Sequence, residues 1–303
     1  MPLFTKSDQG LTKVKKNLFK LEKEIQEVTE KNLEKVVGLT FITSEFQLQN
    51  LRIDTFAYNP ETNSFNIIEY KRSQNKSVID QGYAYLSLML NNKAEFILKY
   101  NEKKNKNLRK NDIDWSQSRI IFISQQFSTH QKAINFSDLP FEFWEVSRYK
   151  NSLIQYKQVK VDKKAVSIKS ISHKDRETSF VDKQVKVYTE EKHLESRKKK
   201  IQELYEELKT QILSIDETIE VKPLAKYIAF KAETNFVDIH IQKTQIKMWL
   251  NLEKGELKDA ESITRDVSDT GHWGNGDYEI VLRNTENLPV ILSLIKQSYE
   301  KNS

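Results

Sequence analysis

The stretch from Leu51 to Lys71, LRIDTFAYNPETNSFNIIEYK, constrains this chain more than any other. Leu51 to Tyr58 and Ser64 to Lys71 have the composition of short strands. Asn59-Pro60-Glu61-Thr62-Asn63 between them carries turn chemistry, so the pair reads as a hairpin. Side chains alternate along a strand, which sets Glu69 and Lys71 on one face and Tyr70 on the other. Pairing the two strands brings Asp54 beside Glu69. Two carboxylates and one ammonium then meet at one end of a sheet. Carboxylates a few ångströms apart repel, and one is forced to hold a proton. A hard divalent ion removes that cost, since magnesium takes one or two carboxylates while keeping several waters. The plainer reading makes Asp54 a solvated hairpin-edge charge and Glu69/Lys71 an exposed pair. Against it, the acids end apolar segments, Ile53 and Ile67-Ile68, where a solvated face is less natural.

The chain has 303 residues, enough for about two domains. A hydrophobic content of 38% with 10% aromatics supplies real cores, which excludes wholesale disorder. With no cysteine, disulfides and thiolate metal sites are excluded. No apolar run approaches the roughly 20 residues a membrane helix needs, and MPLFTKSDQG lacks the apolar core of a signal peptide. A cytoplasmic location without membrane partners is the expectation. Residues 160 to 200 hold 13 Lys/Arg against 7 Asp/Glu, which accounts for the whole net charge of +6. Such a basic segment suits phosphate backbones, or serves as a solvated linker.

Before the hairpin, Leu11, Val14, Leu18, Leu21, Ile25, Val28, Leu33 and Val36 recur near helical spacing, predicting one long amphipathic helix from Leu11 to Val37 with Gly38 as its C-cap. Thr40 to Phe46 reads as a first strand. After the hairpin, Lys76 to Tyr100 is helical, and Gln81 and Tyr85 lie four apart on one face of it. Lys99 to Asp112, rich in Lys and Asn, reads as an exposed loop that can touch nucleic acid. Arg119 to Ser124 is a buried-type strand, Phe127 to Phe136 a helix, Phe141 to Val146 a strand and Tyr149 to Val161 an edge.

The pattern I-D-x(14)-E-Y-K resembles the D…(D/E)xK signature of the PD-(D/E)xK phosphodiesterase superfamily, whose fold is restriction endonuclease-like. Gln81-Gly-Tyr-Ala-Tyr85 fits the QxxxY motif that many members carry on the helix after the ExK strand, and Glu34 stands on a helix where many place an additional acid. The resemblance implies an α/β domain, a mixed sheet flanked by helices, over residues 1 to 161. It implies a Mg²⁺-dependent nuclease, with Mn²⁺ as a substitute, acting on DNA, with endonucleolytic cleavage expected. By the same resemblance Asp54, Glu69, the Tyr70 carbonyl and Glu34 are metal ligands, Lys71 is the catalytic lysine, and Gln81 and Tyr85 shape the site and contact substrate. A non-catalytic nucleic-acid-binding protein on a nuclease-like fold is the competing expectation. A third is an adaptor that uses the N-terminal helix to form a homodimer, although that helix has few clean heptads.

Residues 162 to 189 mix Ser, Lys, Asp and Glu and read as an interdomain linker. From Glu190 the pattern restarts with a helix to Leu213, whose apolar stripe is Ile201, Leu204, Tyr205, Leu208 and Ile212. Tyr227 to Lys231, Asn235 to Ile241, Gln245 to Leu252 and Tyr278 to Arg283 are strands, and Leu288 to Tyr299 is a closing helix. That gives a second, α+β domain over 190 to 303 with an antiparallel sheet. It resembles an uncharacterised domain attached at the C-terminus of nuclease-like and restriction-type proteins, and choosing the substrate is the role expected of it. Within it, Gly271 to Asp277 (GHWGNGD) holds three of the chain's seven glycines. His272 and Trp273 there either stack on a base or plug a tight turn. No GK[ST] follows, so this is not a Walker loop.

Overall fold

A computed structural model describes residues 2–71, 78–128, 139–159 and 176–303, which form two units, Met1–Val187 and Tyr188–Ser303. The first unit begins with a hairpin of β1 (Phe4–Ser7) and β2 (Gly10–Lys13) rather than with helix. Asp8 and Gln9 form its two-residue loop, closed by Gly10 at φ +107°, a left-handed conformation that glycine takes without strain. Helix appears only as α1 (Glu22–Glu30) and α2 (Leu33–Val37), broken at Asn32. The expected continuous helix is therefore corrected. Leu11, Leu18 and Leu21, which seemed to belong to its stripe, are 69%, 67% and 60% exposed, while Val14, Phe19, Ile25 and Leu33 are buried. Gly38 does end α2 in the left-handed conformation, with its N–H on the Glu34 carbonyl.

A six-stranded sheet follows, made of β3 (Thr40–Leu48), β4 (Leu51–Asn59), β5 (Ser64–Lys71), β6 (Arg119–Ser124), β7 (Phe141–Arg148) and β8 (Ile154–Gln158), side by side in that order. The outer pairs are antiparallel; β5–β6 and β6–β7 are parallel. A parallel neighbour needs a crossover, and α3 (Val78–Asn91) with α4 (Lys93–Lys104) supplies it between β5 and β6. The expected helix from 76 to 100 is thus two helices meeting at Asn92. The second runs into the segment expected as loop, and residues 72–77 lie outside the described ones. So do residues 129–138, which carry most of the helix expected over 127–136.

Because β5 is covered on both sides, seven of its eight residues are buried. On one side Ile68, Tyr70, Ile121 and Ile123 meet Ile25 of α1 and Leu33 of α2. On the other Phe56, Phe65, Ile67 and Phe122 meet Leu86 and Met89 of α3 and Phe96 of α4. The unit is a mixed α/β sheet flanked by helices.

The basic linker is also corrected in part. Residues 160–175 lie outside the described residues, but α5 (Arg176–Gln184) is a helix whose Val181, with Val185 just after it, is buried in the first unit's core. The Lys186 carbonyl accepts from Arg119 at 2.8 Å. Two valines four residues apart bury one helix face even where polar residues dominate the composition.

The second unit contains α6 (Glu190–Leu194), α7 (Lys199–Leu213) and α8 (Leu288–Asn302) with a fully antiparallel sheet ordered β13-β14-β12-β11-β10-β9. Its strands are β9 (Glu220–Pro223), β10 (Ile228–Lys231), β11 (Asn235–Ile241), β12 (Ile246–Leu250), β13 (Arg265–Asp266) and β14 (Tyr278–Leu282). Helices α7 and α8 pack on one face, where Tyr205, Leu208, Ile291 and Ile295 meet Phe230, Val237, Ile239 and Met248. Among the described residues no helix is long and apolar enough to cross a membrane.

Candidate active site

The geometry starts in the turn between β4 and β5. Asn59 Oδ1 accepts the main-chain N–H groups of Glu61 and Thr62 at 2.9 and 3.2 Å, and Asn63 sits at φ +48°. An Asx turn of this kind sets the hairpin register. Asn59 pairs with Ser64 beside the turn and Thr55 with Ile68 at the far end, so the next residues beyond, Asp54 and Glu69, fall on one face. Asp54 Oδ2 accepts the Tyr70 main-chain N–H at 3.0 Å. The acid is thereby fixed across the strand at the point where Glu69 and Lys71 project.

Glu69 is 4% exposed, which rules out the solvated reading of this acid. Its Oε1 accepts from Lys71 Nζ at 2.9 Å and from Gln81 Nε2 at 3.0 Å. Its Oε2 is buried and has no hydrogen-bond partner among the described residues. Burial, reinforced by the negative charge of Asp54, pushes the Glu69 carboxyl up to about 7 against the opposing pull of Lys71. Asp54 is also pushed upward, chiefly by burial, while the Tyr70 N–H and Lys71 hold it down. Glu45 and Glu22 push it further in the same direction as burial.

Gln81 and Tyr85 come from α3, one turn apart. Gln81 Nε2 also donates to the Tyr85 hydroxyl at 3.2 Å, and that hydroxyl donates to the Arg52 carbonyl at 3.0 Å. Burial and the Glu69 charge push the Tyr85 phenol up to about 12, so it stays a donor. Gly82 sets the distance of this helix from the sheet: a Cβ there would lie 2.7 Å from the Phe141 ring.

Asp54, Glu69, Lys71, Gln81 and Tyr85 are thus brought together. Tyr70 contributes its N–H to Asp54, while its side chain lies on the opposite face, 3.2 Å from Thr55 Oγ1. Glu34 is not brought in. It is exposed, and among the described residues no hydrogen bond or ion pair joins it to Asp54, Glu69 or Lys71. The break at Asn32 turns α2 away from the register that one long helix would have given. From the N-terminal region the residue that reaches the site is instead Gln26, whose Nε2 donates to the Asp54 carbonyl at 2.9 Å and to Glu30 Oε1 at 3.0 Å. Glu30 in turn accepts from Ser44 and Thr55. Sequence reasoning missed both residues. Their signal was only a polar pair four apart on a polar helical face that also holds Glu22, Lys23 and Thr29, which periodicity cannot tell from a solvated one.

Two carboxylates of raised proton affinity, one with a buried oxygen unpaired among the described residues, fit a hard divalent cation, whose charge would remove the penalty that burial imposes. The described residues hold no group of three or more His, Asp or Glu of the kind that forms an all-protein cage.

Fold and site together define a two-unit protein that carries a pair of carboxylates, Glu69 buried and Asp54 partly so, with a lysine on Glu69. Residues 190–302 match the family model described as "Domain of unknown function (DUF5655)". The chain is 50% identical over 299 residues to an uncharacterized protein of Haemophilus influenzae, spanning 98% of this chain and 99% of that one, and belongs to the same family. Two solved structures are similar at lower levels. The complex of EndoMS with double-stranded DNA aligns at 13% identity and a TM-score of 0.23, over 43% of this chain and 46% of that one. A repair endonuclease from Pyrococcus abyssi aligns at 14% identity and a TM-score of 0.20, over 37% of this chain and 41% of that one. The chain spans less than half the length of both solved proteins.

Proposed function

We propose that this protein is a Mg²⁺-dependent nuclease that hydrolyses phosphodiester bonds of DNA, with Mn²⁺ able to replace Mg²⁺. The observation that carries the reading is the buried Oε2 of Glu69 beside Asp54, unpaired among the described residues, with Lys71 and Gln81 both on the other oxygen. Asp54 and the Oε2 side of Glu69 are the groups that would hold the ion. When bound, it supplies charge neutralisation at the phosphate and a water acidified enough to attack at neutral pH. Gln81 fixes the rotation of the Glu69 carboxylate, and the Tyr70 N–H does the same for Asp54. Lys71, with a side chain only 14% exposed, keeps its ammonium where negative charge accumulates in the pentavalent transition state. No covalent intermediate on the protein is needed. The second unit would select the substrate.

Purified protein with Mg²⁺ or Mn²⁺ should cut members of a DNA panel, and Lys71→Ala should not. A wild type as inert as that variant rejects catalysis. One observation favours a non-catalytic binder on the same fold: Lys71 is engaged by Glu69, the acid that would also hold the ion. That reading predicts salt-sensitive DNA binding that Asp54→Ala leaves unchanged.

A further inference from the structure

The second unit's sheet turns one face away from α7 and α8. Its pairings align Ala229, Asp238, His240, Lys247, Trp249 and Glu279 on the side opposite α7 and α8. The Gly271-to-Asp277 loop lies over this side and is held unusually tightly. Asp238, 1% exposed, accepts both the main-chain N–H and the side-chain amide of Asn275 at 2.7 Å. A Cβ on Gly274 would meet the Trp249 ring, and one on Gly276 would meet the Leu250 carbonyl. His272 stacks on Trp249 with ring centroids 5.9 Å apart. These contacts leave no room for a larger residue at the two glycines and tie the loop to the sheet.

That rigid loop presents Trp273 to solvent. It is 52% exposed, the one large hydrophobic side chain exposed among the described residues of the second unit. Its ring meets His240 edge to face at 4.6 Å, and Lys226 Nζ lies 5.3 Å from the ring centroid. The surroundings are cationic. His240 holds its proton less readily than an ordinary histidine, first because of burial, with Arg197, Lys247 and Lys226 adding to the effect and the Lys226 carbonyl opposing it. Lys247 is paired with Glu279 at 2.9 Å, whereas the Lys226 ammonium faces the ring, where a ligand stacked on the indole would meet it.

We propose that Trp273 and Lys226 form a site for an unpaired nucleotide of a nucleic-acid strand, the base stacking on the indole and its phosphate meeting the ammonium. A ligand with a flat π face and an adjacent negative charge is what this pair complements. Stacking is sequence-tolerant and is the way in which proteins grip single strands. A paired base has its faces occupied by neighbours, so duplex is a poorer ligand. The site belongs to the second unit and does not depend on the acids of the first catalysing anything.

The test uses the full-length protein in EDTA, with fluorescence anisotropy of labelled oligo-dT, oligo-rU and a duplex of equal length. Trp273→Ala should weaken binding of at least one single strand roughly 5- to 100-fold, and Trp273→Phe should restore most of it. Lys226→Gln should flatten the dependence of log affinity on log salt by about 0.7 for that strand. The two single-strand arms decide whether DNA or RNA is the source. A wild type that binds neither strand, a Trp273→Ala protein that binds as the wild type does, or equal losses on strand and duplex would each overturn the proposal. Because no metal is present, these results are independent of whether the first unit cleaves.

Discussion

Gln81, one turn into α3, donates its amide to Oε1 of Glu69 at 3.0 Å, and so leaves the buried Oε2 of that acid to find another partner. A neutral amide is a suitable group for this purpose. It orients the carboxylate without neutralising it, whereas a second lysine would have removed the reason to bind a cation. Lys71 on the same oxygen lowers the proton affinity of Glu69 but does not overcome burial and Asp54.

The pH dependence of stability follows from those two acids. The folded-state value for Glu69, about 7, lies above its ordinary value of 4.5, so folding takes up a proton there. Its destabilising contribution is absent below the ordinary value and grows as pH rises through about 7. Asp54, raised in the same direction, adds to it. Urea midpoints of the metal-free protein should fall between pH 5 and pH 8. Saturating Mg²⁺ should reduce that fall, because the ion favours the charged carboxylates that high pH produces.

Glu69→Gln removes the titration while keeping the shape. Without metal at pH 8 the variant should be more stable than the wild type, by about 1–3 kcal/mol, and its melting temperature should not respond to Mg²⁺ or Mn²⁺. Differential scanning calorimetry with and without metal reads both. A variant less stable than the wild type and still metal-responsive would show that Glu69 is paired in a way the geometry does not contain.

Gly82→Ala should act at a distance. Its Cβ would stand 2.7 Å from the Phe141 ring, so α3 has to shift outward, carrying Gln81 and Tyr85 from their partners. Overpacking of this kind costs about 1–3 kcal/mol. If the protein cleaves DNA, kcat should fall more than this modest loss of folding stability accounts for, since a small misplacement of positioning groups is costly in rate. Steady-state kinetics below the melting transition check it.

Glu34 and Gln26 make opposite predictions. Glu34→Gln, at an exposed position, should change stability by less than about 0.5 kcal/mol and leave any cleavage intact. Gln26→Ala removes the donor to the Asp54 carbonyl and should cost about 1–2 kcal/mol together with some of the metal affinity. Thermal melts and metal titrations on the two variants separate them.

Those two residues also mark where the sequence was informative. The β4–β5 hairpin was legible because Asn59 to Asn63 can hardly be anything but a turn, and the period of two on either side then fixes which acids meet. RIIFIS was legible as β6 because a continuous apolar run of that length suits a strand covered on both faces. The N-terminal region was misleading because apolar spacing reports a helix only if the apolar residues are buried. Leu11, Leu18 and Leu21 are exposed, as many surface leucines are. The break at Asn32 depends on local hydrogen bonding that periodicity does not register, and with it went the placement of Glu34. Helix α5 was hidden by the polar composition of its segment, since Val181 and the following Val185 carry little weight in an average. Gln81 and Tyr85 were legible as a pair but not in function. Only the packing of Gly82 on Phe141 shows why that helix face reaches Glu69.

The central claim is that Asp54 and Glu69 hold one divalent cation beside Lys71. Titrating Mn²⁺ into the protein at pH 8 and counting free ion by electron paramagnetic resonance tests it most directly. The account predicts one site in the wild type, retained in Lys71→Ala and lost in both Asp54→Asn and Glu69→Gln. A site that survives both carboxylate substitutions, or no site in the wild type, would contradict it.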